Sequence, residues 1–174
     1  MKTLVITAHP DLPNSTVNKA WKERLSEEPG ITIHDLYETY PDKQIDVDRE
    51  QQLLLSHERI VFQFPFYWYS SPSLLKEWQD VVLTYGWAYG AQGTKLHGKD
   101  FMLAISTGGP EDAYRAGGYN HYSMSELTKP FQAMANLTGM RFLPSFVLQG
   151  VRALSEEKVK ESAEALVAQI VSTR

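Results

Sequence analysis

Cysteine is absent from these 174 residues, which excludes disulfides, thiol nucleophiles and thiolate metal sites. Excess positive charge is absent as well. Seventeen Lys and Arg face 21 Asp and Glu, giving a formal net charge of −4. A nucleic-acid partner needs a basic face, so none is expected. No block of like charge suggests a tail or a polybasic anchor. Long apolar runs are missing too, and nothing approaches a membrane span. Met1-Lys2-Thr3-Leu4-Val5-Ile6 holds only three consecutive apolar residues, so no secretory leader is expected there. Two glycine fingerprints are lacking. No Gly-x-Gly-x-x-Gly follows the first apolar run, which disfavours a Rossmann dinucleotide fold, and no Gly-Lys-Ser/Thr marks a triphosphate loop. Repeats, linkers and low-complexity stretches are absent.

What is present is ordinary for a globular chain: 43% hydrophobic and 22% charged residues. The length suits one domain over residues 1–174. Nine Tyr, seven Phe and four Trp form the one compositional bias, concentrated between Phe62 and Tyr122. Such a surplus packs a core, or else faces a planar ligand or a second subunit.

Apolar runs at Leu4–Ile6, Ile60–Phe64 and Phe101–Ser106 predict buried strands, and Ile31–Leu36 and Phe142–Leu148 predict two more. Between them fall helices from Asn14 or Ser15 to about Leu25 and from about Asp48 to Ser56. Further helices run from Pro72 to about Thr84, from about Met124 to Leu137, and from Ser155 to Val171. The third carries Leu75, Trp78, Val82 and Tyr85 as its apolar stripe. Glu38 to Asp46 reads as a polar connection. Near-continuous apolar strands alternating with helices predict a doubly wound, five-stranded parallel sheet in the order 2-1-3-4-5, as three α/β/α layers.

Ligands of such sheets bind beyond the carboxyl ends of the strands, at the switch between strands one and three. Three loops meet there. The first holds His9, Asn14, Ser15, Thr16 and Asn18, whose hydroxyls, amides and free N–H groups at a helix start suit a phosphate. Plain helix capping is the structural alternative. Asp11 raises a phospho-acceptor reading, but strand three ends in Phe64-Pro65 and offers no acceptor Asp. The second loop places Phe66, Tyr67, Trp68 and Tyr69 in succession, and four adjacent aromatics cannot all point inward. The third, Ser106-Thr107-Gly108-Gly109, permits close backbone approach, so its N–H groups can bond the edge of a flat ring. His34, His57 and His97 read as surface or loop histidines, and no metal motif occurs.

Taken together, Ala8-His9-Pro10, Ser15 to Asn18, Gln63-Phe64-Pro65-Phe66-Tyr67-Trp68-Tyr69, Leu74-Leu75-Lys76, Gly86-Trp87-Ala88-Tyr89-Gly90 and Thr107-Gly108-Gly109 resemble the NAD(P)H:quinone oxidoreductase (DT-diaphorase-like) family over nearly the whole chain. Leu36-Tyr37, Tyr40-Pro41-Asp42 and Leu96-His97-Gly98-Lys99 are similar to its short bacterial members, the ancillary subunits of glutathione-gated potassium efflux systems. The resemblance implies a flavodoxin-like fold and a homodimer with a flavin site at the subunit boundary. His9, Ser15, Thr16, Val17 and Asn18 would hold the flavin phosphate. Phe66, Tyr67, Trp68, Tyr69, Ser106, Thr107, Gly108 and Gly109 would flank the ring. FMN is expected, with FAD the alternative. NADPH or NADH would supply the hydride and a quinone would receive it in a two-electron, ping-pong exchange. Tyr114 and His121 are the counterparts of a catalytic Tyr–His pair, the His matching only with a one-residue insertion. Residues 115–122 read otherwise as a polar lid. Trp87 and Tyr89 either reach the partner's site or pack the core and the dimer. Two further functions follow from the same likeness: regulatory docking on a membrane potassium-efflux transporter, and electron carriage as in flavodoxins, although the first loop lacks the glycine those carriers use. The implied location is cytoplasmic, a transporter partner placing the protein at the inner face of the cell membrane.

Overall fold

Strand β1 (Thr3–Thr7) is buried along its length, and its side chains divide by alternation: Leu4 and Ile6 enter one core, Val5 the other. After a 3-10 turn at Leu12–Asn14 come α1 (Val17–Ser26), β2 (Ile31–Asp35), α2 (Leu36–Thr39), α3 (Val47–Leu55), β3 (Arg59–Pro65) and α4 (Ser73–Val82). The chain continues through β4 (Asp100–Ser106), α5 (Met124–Leu127), α6 (Lys129–Leu137), β5 (Arg141–Phe142), β6 (Phe146–Leu148) and α7 (Glu156–Val171). This computed structural model describes residues 1–172; the last two residues of the domain expected over 1–174 lie outside them.

All strand pairs are parallel and run in the expected order β2-β1-β3-β4-β5, with β6 also on β4. One face packs Phe62 and Phe101 against Leu54, Trp78 and Phe131 of α3, α4 and α6. The other packs Val61 and Met102 against Trp21 and Leu25 of α1 and Leu166 and Ile170 of α7. Each fully buried leucine contributes about 1.5–3 kcal/mol, so these two slabs supply most of the driving force. At the amino end of the sheet, buried Arg59 pairs with Asp100 at 2.9 Å and donates to the Ile170 carbonyl, while Arg141 closes on the same Asp100. Among the described residues no helix is long and apolar enough to cross a membrane.

Several sequence expectations need correction. The fifth strand breaks into β5 and β6, because Pro144 between them has no N–H to donate to a ladder. The helix expected over 124–137 divides at Thr128, because Pro130 cannot donate to the Glu126 carbonyl. The polar connection after β2 opens with α2, capped by Asp35 accepting from the Tyr37 and Glu38 amides. Tyr85 leaves the α4 stripe: the helix ends at Val82, and Tyr85 is 75% exposed. His34 and His57 are buried, not superficial. His34 and Tyr40 both meet buried Glu50, at 2.8 Å and 2.6 Å, and the Trp78 indole donates to the same carboxylate at 2.8 Å.

Candidate functional site

The carboxyl ends of β1, β3 and β4 form one rim, and a cleft of ≈ 340 Å³ opens there. Its walls come from His9, Ser15, Thr16, Val17 and Asn18 after β1, from Pro65, Phe66 and Tyr67 after β3, from Ser106 and Gly108 after β4, and from Val151 and Arg152 after β6. A second cleft of ≈ 590 Å³ lies between α1 and the end of β2, lined by Leu12, Lys19, Lys22, Asp35 and Tyr37; it shares only His9 with the first.

Three bonds bring the walls together. Buried Gln63 donates to the Asn18 carbonyl at 2.9 Å and receives the Thr7 hydroxyl at 3.3 Å. Asn18 Nδ2 donates to Ser106 Oγ at 2.8 Å. The Phe66 amide donates to the Ser106 carbonyl at 2.8 Å. These fix the start of α1 against both neighbouring loops before any ligand arrives.

The start of α1 is rich in unused donors. The Ser15 hydroxyl caps it by accepting from the Asn18 amide at 3.2 Å, whereas Asn14 turns to Asp11. Among the described residues the Thr16 and Val17 amides have no acceptor. The first turn holds no acidic side chain, so the positive end of the helix dipole is uncompensated. Asn18 is 2% exposed, yet its Oδ1 has no partner. A buried carbonyl in that state wants a hydroxyl or amide donor from outside the chain. A sugar-alcohol phosphate supplies both halves, hydroxyls for Oδ1 and an anion for the amides. The residues therefore fit a flavin mononucleotide tail.

His9 is pushed below its ordinary value by burial, against the pull of Asp11 and Asp35. The Asp11 amide donates to its Nδ1 at 3.1 Å, which puts the proton of the neutral ring on Nε2. The glycine turn offers a second set of donors. Thr107 and Gly109 give their carbonyls to Val151 and Gly150, but the Gly108 and Gly109 amides have no acceptor among the described residues. A Cβ on Gly109 would stand 3.0 Å from the Tyr114 hydroxyl and 3.1 Å from that of Tyr119, so the turn accepts no side chain without displacing both.

The aromatic loop folds as a tight turn: Tyr67 and Ser70 exchange amide–carbonyl bonds, and the central residues Trp68 and Tyr69 have φ of 47° and 60°. Type I′ turns demand such values and usually take them from Asn-Gly. Phe66 packs inward, Tyr67 edges toward His9 with ring centroids 6.4 Å apart, and Tyr69 donates to Asn120 Oδ1 at 2.9 Å. Trp68 projects outward, 93% exposed.

Of the residues singled out from sequence, His9, Ser15, Thr16, Val17, Asn18, Phe66, Tyr67, Ser106 and Gly108 share the cleft. Thr107 is buried behind it, bonding the Gly109 carbonyl at 2.8 Å, while Trp68, Tyr69 and Gly109 are outside its lining. Tyr114 stands beside Phe66 and Gly109, its hydroxyl pushed up mainly by burial. His121 is exposed, with a φ of 64°, and is not part of the cleft lining. Trp87 and Tyr89 pack against the core. Arg152 and Gln63 lie outside the sequence-based expectations for the site. Gly150, two residues past β6, turns the chain at φ 66° and brings this loop to the rim.

A doubly wound parallel sheet with a phosphate-type helix start, an aromatic turn and a glycine turn on one rim defines a flavodoxin-like α/β protein. The chain belongs to the family described by that flavodoxin-like fold, which it matches over residues 1–172. A Bacillus subtilis protein named an uncharacterized NAD(P)H oxidoreductase is 63% identical over 167 residues, 96% of each chain. A Yersinia enterocolitica ancillary protein of a glutathione-regulated potassium-efflux system is 43% identical, covering 94% of this chain and 89% of the relative. General stress protein 14 of Treponema denticola, solved in complex with FMN, superposes with a TM-score of 0.94 at 41% identity over 98% of both chains. An NADPH-quinone reductase from P. pentosaceus gives 0.91 and 35% over 100% of both. A solved chain described as a tryptophan halogenase gives 0.96 and 50%, over 98% of this chain and 99% of that one.

Proposed function

We propose that the protein is an FMN-dependent oxidoreductase that takes a hydride from NADPH or NADH and passes two electrons to a quinone or a similar acceptor. The observation that carries this reading is the orphaned Asn18 Oδ1 beside the unused amides at the start of α1, facing the aromatic and glycine turns across one cleft. The names of the oxidoreductase and quinone-reductase relatives and the FMN of the Treponema neighbour support it. One relative's halogenase description stands apart from them.

When bound, FMN supplies the hydride chemistry. The chain supplies the rest. Thr16 and Val17 amides and neutral His9 take the phosphate, and Asn18 orients the ribityl chain. Phe66 and Tyr67 wall the ring, while the Gly108 and Gly109 amides stabilise the negative charge that reduction brings. Tyr114, kept protonated by burial, is the proposed hydrogen-bond and proton donor beside Gly109, with His121 assisting from the exposed 115–122 segment.

The exposed faces of Trp68, Tyr69, Tyr85, Tyr119 and Tyr122 support a homodimer that completes the slot. Purified protein should show flavin bands that bleach on anaerobic NADPH addition and return on addition of a quinone. Colourless protein that fails to take up FMN or FAD excludes the reading, and bleaching without turnover identifies a carrier. A second function, docking on a potassium-efflux transporter at the cytoplasmic membrane face, is supported by the ancillary-protein relatives. Co-purification with a transporter's cytoplasmic domain tests it.

A further inference from the structure

We propose that Arg152 is the counter-charge of the cofactor phosphate and makes the cleft selective for a flavin phosphomonoester over the unphosphorylated flavin. The inference rests on the flavin reading of the cleft and names the residue that selects its ligand.

Charge is scarce where it is needed. Arg152 is the only Lys, Arg, Asp or Glu lining the cleft. His9, the other titratable cation there, is held toward its neutral form by burial. A phosphomonoester carries about −1.5 to −2 charges at neutral pH. Helix-start amides offer partial charge only. One full positive charge lining the same cleft brings the sum near balance.

The guanidinium is available. It makes no ion pair among the described residues, whereas Arg24, Arg59 and Arg141 are each committed to carboxylates. Its side chain is exposed, and the turn that carries it is held by backbone bonds. The Gly150 amide donates to the Gly109 carbonyl at 2.8 Å and the Val151 amide to the Thr107 carbonyl at 3.1 Å. This pins the 3-10 turn Val151–Ala153 to the glycine turn. A Cβ on Gly108 would lie 3.3 Å from Arg152 Nε, so the guanidinium lies directly over that glycine. The unpartnered, buried Asn18 Oδ1 is the independent sign that a ligand occupies the opposite wall. Arg is well suited to the task, since its planar fork presents paired N–H donors to phosphate oxygens.

The test compares apoprotein binding of FMN and riboflavin by quenching of flavin fluorescence, in wild type, Arg152→Ala and Arg152→Lys, with circular dichroism confirming that each is folded. Arg152→Ala should weaken FMN binding roughly tenfold to a hundredfold, the range of one charge-assisted phosphate contact. Riboflavin affinity should stay within about twofold, because that ligand carries no phosphate for the arginine to meet. Arg152→Lys should recover part of the loss. Unchanged FMN affinity in Arg152→Ala overturns the proposal, as does an equal loss for both ligands. Wild-type protein that binds neither flavin fails at the earlier reading of the cleft, a result distinct from either.

Discussion

Asn18 Nδ2 donates to Ser106 Oγ at 2.8 Å, joining the first turn of α1 to the end of β4, 88 residues away, and leaving Asn18 Oδ1 buried without a partner. The pair holds the rim closed from the protein side while keeping an acceptor for a ligand. Asn18→Ala should therefore cut FMN affinity about tenfold or more, the range of one or two hydrogen bonds, while the apoprotein loses only about 1–2 kcal/mol of stability. Titration with FMN and urea unfolding of the same sample separate the two effects.

Gly109 faces the hydroxyls of Tyr114 and Tyr119 at 3.0–3.1 Å from where a Cβ would sit. Gly109→Val should drive both rings toward the slot and abolish flavin retention, with the thermal midpoint little changed because the turn is at the surface. A yellow, active variant would place the ring elsewhere.

His9 gives a pH signature of defined sign. Burial lowers its affinity for protons in the fold, so the unfolded chain binds more protons as pH falls past the ordinary 6.5. Its contribution to apoprotein stability is thus full above that value and declines below it. Subtracting the urea midpoints of His9→Asn from wild type should give a difference that decreases between about pH 7.5 and pH 5. FMN should flatten the decline, since a phosphate favours the protonated ring. A pH-independent difference contradicts the assignment.

Trp68 and Tyr69 occupy left-handed backbone that aromatic residues disfavour by about 1–2 kcal/mol each. Trp68→Asn should relieve part of that strain. The unfolding free energy at high dilution should rise by about 1 kcal/mol, while sedimentation should show the proposed dimer weakened. Gain of stability with unchanged self-association would remove the reason proposed for the exposed indole.

Glu50 is the deepest carboxylate. Burial works against its charge, but donors from His34, Tyr40 and Trp78 outweigh it and hold the carboxyl below 4.5. Its stabilising effect is full above that value and is lost as the pH falls through its depressed folded value. Glu50→Ala should cost about 3–5 kcal/mol near neutrality, because three donors then lose a buried partner. Glu50→Gln should unfold with a flatter acid limb than wild type.

The legible parts of this chain were those written in local patterning. Apolar runs such as Phe101–Ser106 declared the strands, and the loops after β1, β3 and β4 declared the rim, because topology alone places strand ends together. What escaped depended on long-range partners. His34 sits in an alternating strand that looks half-exposed, and only the arrival of Glu50 from α3, with Tyr40 and Trp78, explains its burial. Arg152 follows a strand shortened by Pro144, so nothing nearby marked it as part of a cleft whose other walls lie before residue 109. At Pro130 and Pro144 a missing amide outweighs an otherwise continuous apolar pattern.

The clamp of Arg59, Asp100 and Arg141 lies at the opposite end of the strands from every residue that meets a ligand. Robustness and chemistry are therefore carried by separate ends of one scaffold. Rim loops can be exchanged to suit a different acceptor without loosening the bolt that holds α7 to the sheet, and that bolt can be tightened without retuning turnover.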